Sequence, residues 1–339
     1  MPNARDIRRR IKSVKNIQQI TKAMEMVAAA RLRRAQEKAA ACLPYVDKLQ
    51  QTLESVAAHS GNRFHPLLRK RAGKKALYLI VSADKGLAGA YTSNLLREAV
   101  SHMKQSSDVG MIVTGRKGRD YFRRRGYALV NSYVGNSERP RFSDAGRIGQ
   151  EIFHAFATGE YDAVYVVYTH FYSPMNQKPM VKQVLPLAIE GVAIQAQAPS
   201  GAWHKLKGYF QEEDSQEKPV WATSATEADA EAEETDESVD ADSDDTQAAD
   251  EAPDDIYIVE PSPTDVLNRL LPRYMEAVVY EALLQSAASE LGARMTAMGS
   301  ATTNAQDIIS ELTLNYNKVR QSAITREISE IVGGVEALQ

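Results

Sequence analysis

The sequence predicts an α/β protein: a long antiparallel coiled coil of N- and C-terminal helices on a central, Rossmann-like α/β domain with a mostly parallel sheet. Three patterns carry this prediction. Toward the C-terminus, Leu284, Ala288, Leu291, Met295, Met298, Thr302, Ala305, Ile309, Leu312, Tyr316, Val319 and Ala323 alternate four and three residues apart. That is the period of a helix wound on a partner. Toward the N-terminus, Ile7, Ile11, Val14, Gln18, Thr21, Glu25, Ala28, Leu32, Ala35, Ala39, Cys42, Val46, Leu49, Leu53 and Val56 form a second seam, interrupted by polar Gln18 and Glu25. Between the seams, short β-rich runs alternate with helical ones.

Each element follows in order. Residues 1–60 are expected to form the first coiled-coil helix, about 50 residues and roughly 75 Å at 1.5 Å per residue. The α/β domain is expected over 74–210. Its first strand, 75–82, is a continuous apolar run, as for a strand buried on both faces. A helix over 91–104, a strand over 111–114, a helix over 117–125, a strand over 128–133 and a helix over 145–157 follow. Strands at 163–168 and 181–189 close the series. The second coiled-coil helix is expected over 271–335, paired with the first. Such a shaft is longer than its own globular domain, so it must reach into something else.

Charge is strongly segregated. Residues 211–255 hold 19 of the 44 acidic residues and one basic residue, Lys218, leaving the remainder with 40 basic against 25 acidic. With so little to bury and one sign of charge, this stretch reads as a disordered acidic insertion. It could dock on a basic surface, its own shaft or a neighbour's, or serve as a solvated spacer.

Composition removes several classes. The single cysteine, Cys42, excludes an intrachain disulfide or a thiol switch within one chain. No run of 18 apolar residues is present, so no membrane span is expected. The basic N-terminus lacks an apolar core and a cleavage site, so no leader is expected and the chain is placed on the cytosolic side. The strand-to-helix turns Asp84-Lys-Gly-Leu-Ala-Gly89 and Thr114-Gly-Arg-Lys-Gly118 match neither phosphate-binding pattern, and their glycines read as backbone geometry. The six histidines show no metal-ligand spacing, and no nucleophile elbow occurs. No catalytic, cofactor or metal residue is therefore assigned.

The termini resemble a known family. Ile11-Lys-Ser-Val-Lys-Asn-Ile-Gln-Gln-Ile-Thr-Lys-Ala-Met-Glu-Met-Val-Ala28 looks like the N-terminal helix of the gamma subunit of F-type ATP synthases. Arg320-Gln-Ser-Ala-Ile-Thr-Arg-Glu-Ile-Ser-Glu-Ile-Val-Gly-Gly334 looks like its C-terminal signature. Asp84-Lys-Gly-Leu87, Tyr257-Ile-Val-Glu-Pro261 and Ser289 to Met298 fall in family order. Two departures stand out: the turn lacks the cysteine that members commonly carry there, and the acidic stretch replaces a short connection.

The resemblance implies a central rotor stalk, present once per complex, without catalytic site or cofactor of its own. Its partners would be the alpha and beta subunits, the epsilon subunit and the membrane c-ring, which would hold it peripherally on the cytoplasmic side of the cell membrane. Lys22, Ala23, Met24 and Met26 match the shaft segment facing the hexamer. Arg320, Gln321, Thr325, Glu327 and Glu330 match a polar catch on the C-terminal helix; spacing alone would read them as a solvated face. Tyr257 and Glu260, in a foot segment over 256–270, match the contact with the ring and epsilon. Gly292 and Gly299 are expected to let the paired helices approach closely. The competing reading is a coiled-coil adaptor or nucleic-acid-binding protein, because the first forty residues carry 11 Lys or Arg against three acids. Against it, that segment has no aromatic residues for base stacking and no recognition fold.

Overall fold

The computed structural model describes residues 4–59, 71, 73, 75–106, 108–187 and 262–336. The acidic stretch 211–255, with Tyr257 and Glu260, lies outside the described residues. Helix α1 (Ala4–His59) has 56 residues, no glycine and one internal proline, Pro44. At 1.5 Å per residue it is about 84 Å long. The last helix, α5 (Pro263–Glu336), has 74 residues and one internal proline, Pro272. It begins within the span read as the foot and reaches about 110 Å.

The two helices pair antiparallel without a register slip. Tyr274 lies against Gln50 and Gln306 against Gln18, and both intervals are 32 residues. Leu32 and Ala35 pack with Ala288 and Leu291 between these points. The seam positions are the covered ones, from Ile7 to Val56 on α1 and from Leu284 to Val319 on α5. Its polar steps find each other: Gln18 donates to Gln306 at 2.6 Å and Thr302 to Thr21 at 2.9 Å. Glu25 lies over Gly299, in ordinary contact with where a Cβ would be. Ala323, expected in the seam, is exposed. By this register its partner would lie beyond Ala4. Gly292 also differs from expectation: a Cβ there would press on Phe171 and Gln177 of the sheet, at 3.1 and 3.2 Å, not on α1.

Between the helices lie β1 (Lys75–Val81), α2 (Tyr91–Met103), β2 (Asp108–Thr114), α3 (Arg116–Arg124), β3 (Asn131–Tyr133), α4 (Phe142–Ala157), β4 (Ala163–Ser173) and β5 (Asn176–Leu185). The sheet order is β3-β2-β1-β4-β5, parallel except for β5. β3 is shorter than the expected 128–133, because it is an edge strand that meets only Ile112–Thr114 of β2. β4 outruns 163–168, because from Thr169 to Ser173 it continues as a hairpin with β5.

The sheet is the middle of three layers, which explains its continuous apolar strands. Leu77, Leu79 and Val81 face α4 and the bases of α1 and α5. Tyr78 and Ile80 face α2 and α3, with Phe122 and Leu95 closing over them. Gly115 has φ +86°, and a Cβ there would strike the Ser82 carbonyl, so this turn glycine serves geometry. Cys42 is fully buried in the shaft base, where burial first and Glu281 second push its thiol up to about 12.

The polar seam steps trade stability for register. Replacing all four (Gln18→Leu, Thr21→Val, Thr302→Val and Gln306→Leu) should raise stability, since removing both partners of a hydrogen bond leaves nothing unsatisfied. We expect the thermal midpoint of the full chain to rise by about 2–4 °C per kcal/mol gained. A lower midpoint would mean that the polar pairs stabilise the shaft outright.

Candidate functional site

Nothing among the described residues resembles a catalytic centre. No group of three His, Cys, Asp or Glu is placed to hold a metal ion. No helix of the described chain is long and apolar enough to cross a membrane. The features that can act are the outer surface of the shaft and the joint that fixes the shaft to the sheet.

The joint is built where strand pairing stops. β1 pairs with β4 up to Val167, and beyond that α5 takes over. Gln285 accepts the N–H of Phe171 at 3.2 Å, and Ser286 accepts that of Thr169 at 3.3 Å. Ser289 donates to the Thr169 carbonyl at 3.0 Å, and Tyr91 donates to the Ser286 carbonyl at 3.3 Å. One turn higher, Arg294 binds Glu138 at 2.9 Å and Glu290 at 2.5 Å, while Glu138 is also bound by Arg31 of α1 at 2.7 Å and by Lys85 at 3.0 Å. Burial works against ionised Glu138, but Lys85, Arg294 and Arg31 hold its carboxyl below the ordinary range. Burial dominates at Glu290 and pushes its carboxyl up, with Arg294 opposing.

Asp84 shows what the expected turn motif does. Its carboxylate accepts N–H groups from Arg116 at 3.0 Å, Gly135 at 2.8 Å and Ser137 at 3.1 Å, tying the turns after β1, β2 and β3 together. Burial would raise its pKa, yet these donors outweigh burial and hold it below the usual range. A carboxylate occupies the strand-end position where a phosphate would need donors. The turn is therefore a brace, in line with the geometric reading of its glycines.

Above the joint the shaft carries apolar residues that no described residue covers. On α1, Ile17, Ile20, Met24 and Val27 form a stripe with three-four-three spacing beside the seam, and Met24 is 40% exposed. On α5, Leu314 is 73% and Ile331 is 67% exposed, with Ile324 and Ile328 between them. By the register, α1 ends opposite residue 320. The 17 residues 320–336 then continue as a single helix for about 25 Å. Exposed apolar side chains that recur along one helix face mark a candidate contact surface.

The expected site residues fall in two bands. Lys22, Ala23, Met24 and Met26 are exposed on the paired shaft, with Lys22 ion-paired to Glu25 at 3.2 Å. Arg320, Gln321, Thr325 and Glu327 are exposed on the overhang, where the Thr325 hydroxyl turns back to the Gln321 carbonyl at 3.0 Å. Glu330 belongs to the same helix, but its side chain is outside the described residues. Thr302 lies beside Thr21 and is 18 residues from Arg320, so the bands stand about 27 Å apart. They are not brought together. Sequence reasoning missed the stripes themselves, although Ile17, Ile20 and Val27 sit one position ahead of the seam at its own period.

Known proteins agree with this geometry. The ATP synthase family profile matches residues 3–338. The ATP synthase gamma chain of Heliobacterium modesticaldum is 41% identical over 338 residues, covering 100% of both chains. That of Pelotomaculum thermopropionicum is 41% identical over 340 residues, again covering 100% of both. Among solved structures, the fold is similar to a chain of the Euglena gracilis mitochondrial ATP synthase rotor, with TM-score 0.53, 17% identity, and coverage of 95% of this chain and 98% of that one. It is also similar to a chain of the Tetrahymena thermophila central stalk and c-ring structure, with TM-score 0.51, 22% identity, and coverage of 83% and 99%. These relatives lend no support to the adaptor or nucleic-acid reading.

The Asp84 brace yields a pH-dependent prediction. Asp84→Asn should cost about 2 kcal/mol, because hydrogen bonds to an ionised acceptor are lost, and lower the thermal midpoint by roughly 4–8 °C. A depressed folded-state pKa contributes stability above the unfolded value and loses it as pH falls through the lower, folded one. The gap between parent and variant should thus close below about pH 4. A gap that stays constant down to pH 2 would contradict the charged brace.

Proposed function

The chain belongs to the ATP synthase gamma family, and from this premise we propose that its shaft turns inside the ring of alpha and beta subunits as the central stalk. It is a subunit of an enzyme complex and has no catalytic site of its own. The observation that carries the reading is the pair of uncovered apolar stripes on a long helical shaft. Inside a ring they would lie against subunit surfaces, and each face of an asymmetric rod would favour a different conformation of the subunit it meets. Binding and release at three sites then follow rotation as a population shift.

The two bands take different parts in this proposal. Lys22, Ala23, Met24 and Met26 face the ring where rotation and chemistry are coupled. Arg320, Gln321, Thr325, Glu327 and Glu330 form a polar catch with alpha and beta higher on the overhang. Tyr257 and Glu260 meet the epsilon subunit and the membrane ring at the foot. The stalk is then held at the cytoplasmic face of the cell membrane through its complex, and it couples ion flow through the ring to ATP synthesis or hydrolysis.

Met24→Lys tests the coupling band. The side chain is already 40% exposed, so the fold should survive. A charge that favours one rotational state by about 1 kcal/mol alters its weighting roughly fivefold. We expect normal assembly with a lower ratio of ion pumping to ATP hydrolysis in membrane vesicles. An unchanged ratio in fully assembled enzyme would remove Met24 from the coupling surface. The purified chain alone should hydrolyse no ATP, and turnover by it would overturn the stalk reading.

A further inference from the structure

A cleft of about 820 Å³ runs between α2 and α3, on the side of the sheet away from the shaft. Its walls carry Lys85, Arg97, Lys104, Lys117, Arg124 and Arg125 against one carboxylate, Asp120. Asp120 is held by Arg119 at 2.9 Å, and Lys85 is engaged by Glu138, but the cleft keeps a large positive excess. Tyr121 lies under the Arg125 guanidinium at 3.7 Å, and Leu96 and Val100 line the floor. The stalk's role uses none of this. Like charges in a low-dielectric groove repel one another, so the arrangement costs stability unless an anion occupies it.

The chain carries its own polyanion. Residues 211–255 hold 19 carboxylates and one lysine. The topology brings the described ends that flank this stretch to the strand end at which α2 and α3 terminate. Leu185 pairs with Val164 at the start of β4, and Ala163 sits opposite Ala76 at the start of β1. The chain therefore leaves the described fold, at Leu187, at the amino ends of the strands. It returns there too, since Leu267 and Leu271 of α5 pack with Leu53 and Val56, well below the Arg294 joint. The C-terminal ends of α2 and α3, with Lys104, Arg124 and Arg125, lie at that same end. A tether of this kind gives an effective concentration near the millimolar range.

We propose that the acidic stretch 211–255 docks in the α2–α3 cleft of its own chain. The shaft is the weaker host. Its cations are spread along a convex rod of about 84 Å, and several are already paired, Arg9 with Asp6, Lys22 with Glu25 and Arg33 with Glu37. The cleft gathers its cations around a concave, partly apolar groove that an extended acidic peptide fits lengthwise. This docking is independent of what the stalk does in its complex.

Zero-length carbodiimide coupling of the full-length chain tests it, because the reagent joins a carboxylate to a lysine amine only in contact. Mixing ordinary and ¹⁵N-labelled chains separates links within a chain from links between chains. Links from 211–255 should fall on Lys104 and Lys117 in preference to Lys12, Lys15 and Lys38, within one chain. They should drop about fivefold or more between 0.1 and 1 M salt, where the Debye length falls from about 10 to 3 Å. The triple variant Arg97→Glu, Arg124→Glu, Arg125→Glu keeps both reporter lysines and alters only exposed side chains. It should lose the links to a similar extent at low salt, with an unchanged melting curve. Links spread over all lysines, links mainly between chains, no links, or links indifferent to the arginine changes would each overturn the proposal.

Discussion

Everything above the sheet depends on one constraint: α1 and α5 pair antiparallel in a single register over the whole length of α1. An apolar seam alone would permit slips of one heptad, each burying almost the same side chains. The polar contacts Gln18–Gln306 and Thr21–Thr302 oppose that freedom, because a slip of seven residues would break both and set Thr21 against Ile309 or Met295. The same register fixes where the partner ends. It leaves the last turns of α5 without a neighbour among the described residues, and so creates the overhang.

The second consequence concerns how a turning rod can be held by a small domain. α5 is both half of the shaft and a wall of the domain core: residues 281–291 are buried on all sides, with α1 on one face and the sheet on the others. Its side chains complete the β4 backbone hydrogen bonding where β1 stops, and the Glu138–Arg294–Arg31 cluster adds a second tie between both shaft helices and the sheet. A torque applied to the sheet therefore meets buried, directional bonds as well as apolar packing. The stalk role proposed for this chain requires such a joint.

Much of this was legible in the residues. The seams were readable because helical burial has a fixed period, and the covered residues of α1 fall on its predicted positions from Ile7 to Val56. The double-sided burial of β1 was readable because its run has no polar alternate. The rest depended on tertiary facts. No local signal marks where α1 ends relative to α5, so Ala323 was assigned to a seam that no described residue partners there. The hairpin extension of β4 is written in Thr169, His170 and Ser173, which lack strand periodicity. The Glu138 cluster joins residues separated by 53 to 156 positions. The stripe of Ile17, Ile20, Met24 and Val27 was hidden because it keeps the period of the seam one position away, and which of two adjacent rows faces α5 is set by the pairing of the helices.

Covering of the shaft by other subunits is the central claim, and hydrogen exchange at residues 320–331 tests it most directly. In the isolated chain these amides belong to a helix that no described residue packs against, and they should exchange within seconds to minutes, close to the rate of a fraying segment. In the complex with alpha and beta subunits they should be protected about a hundredfold or more, as expected when local opening must displace packed neighbours. Equal exchange in the two states would mean that the overhang stays bare and that the stripes do not face the ring.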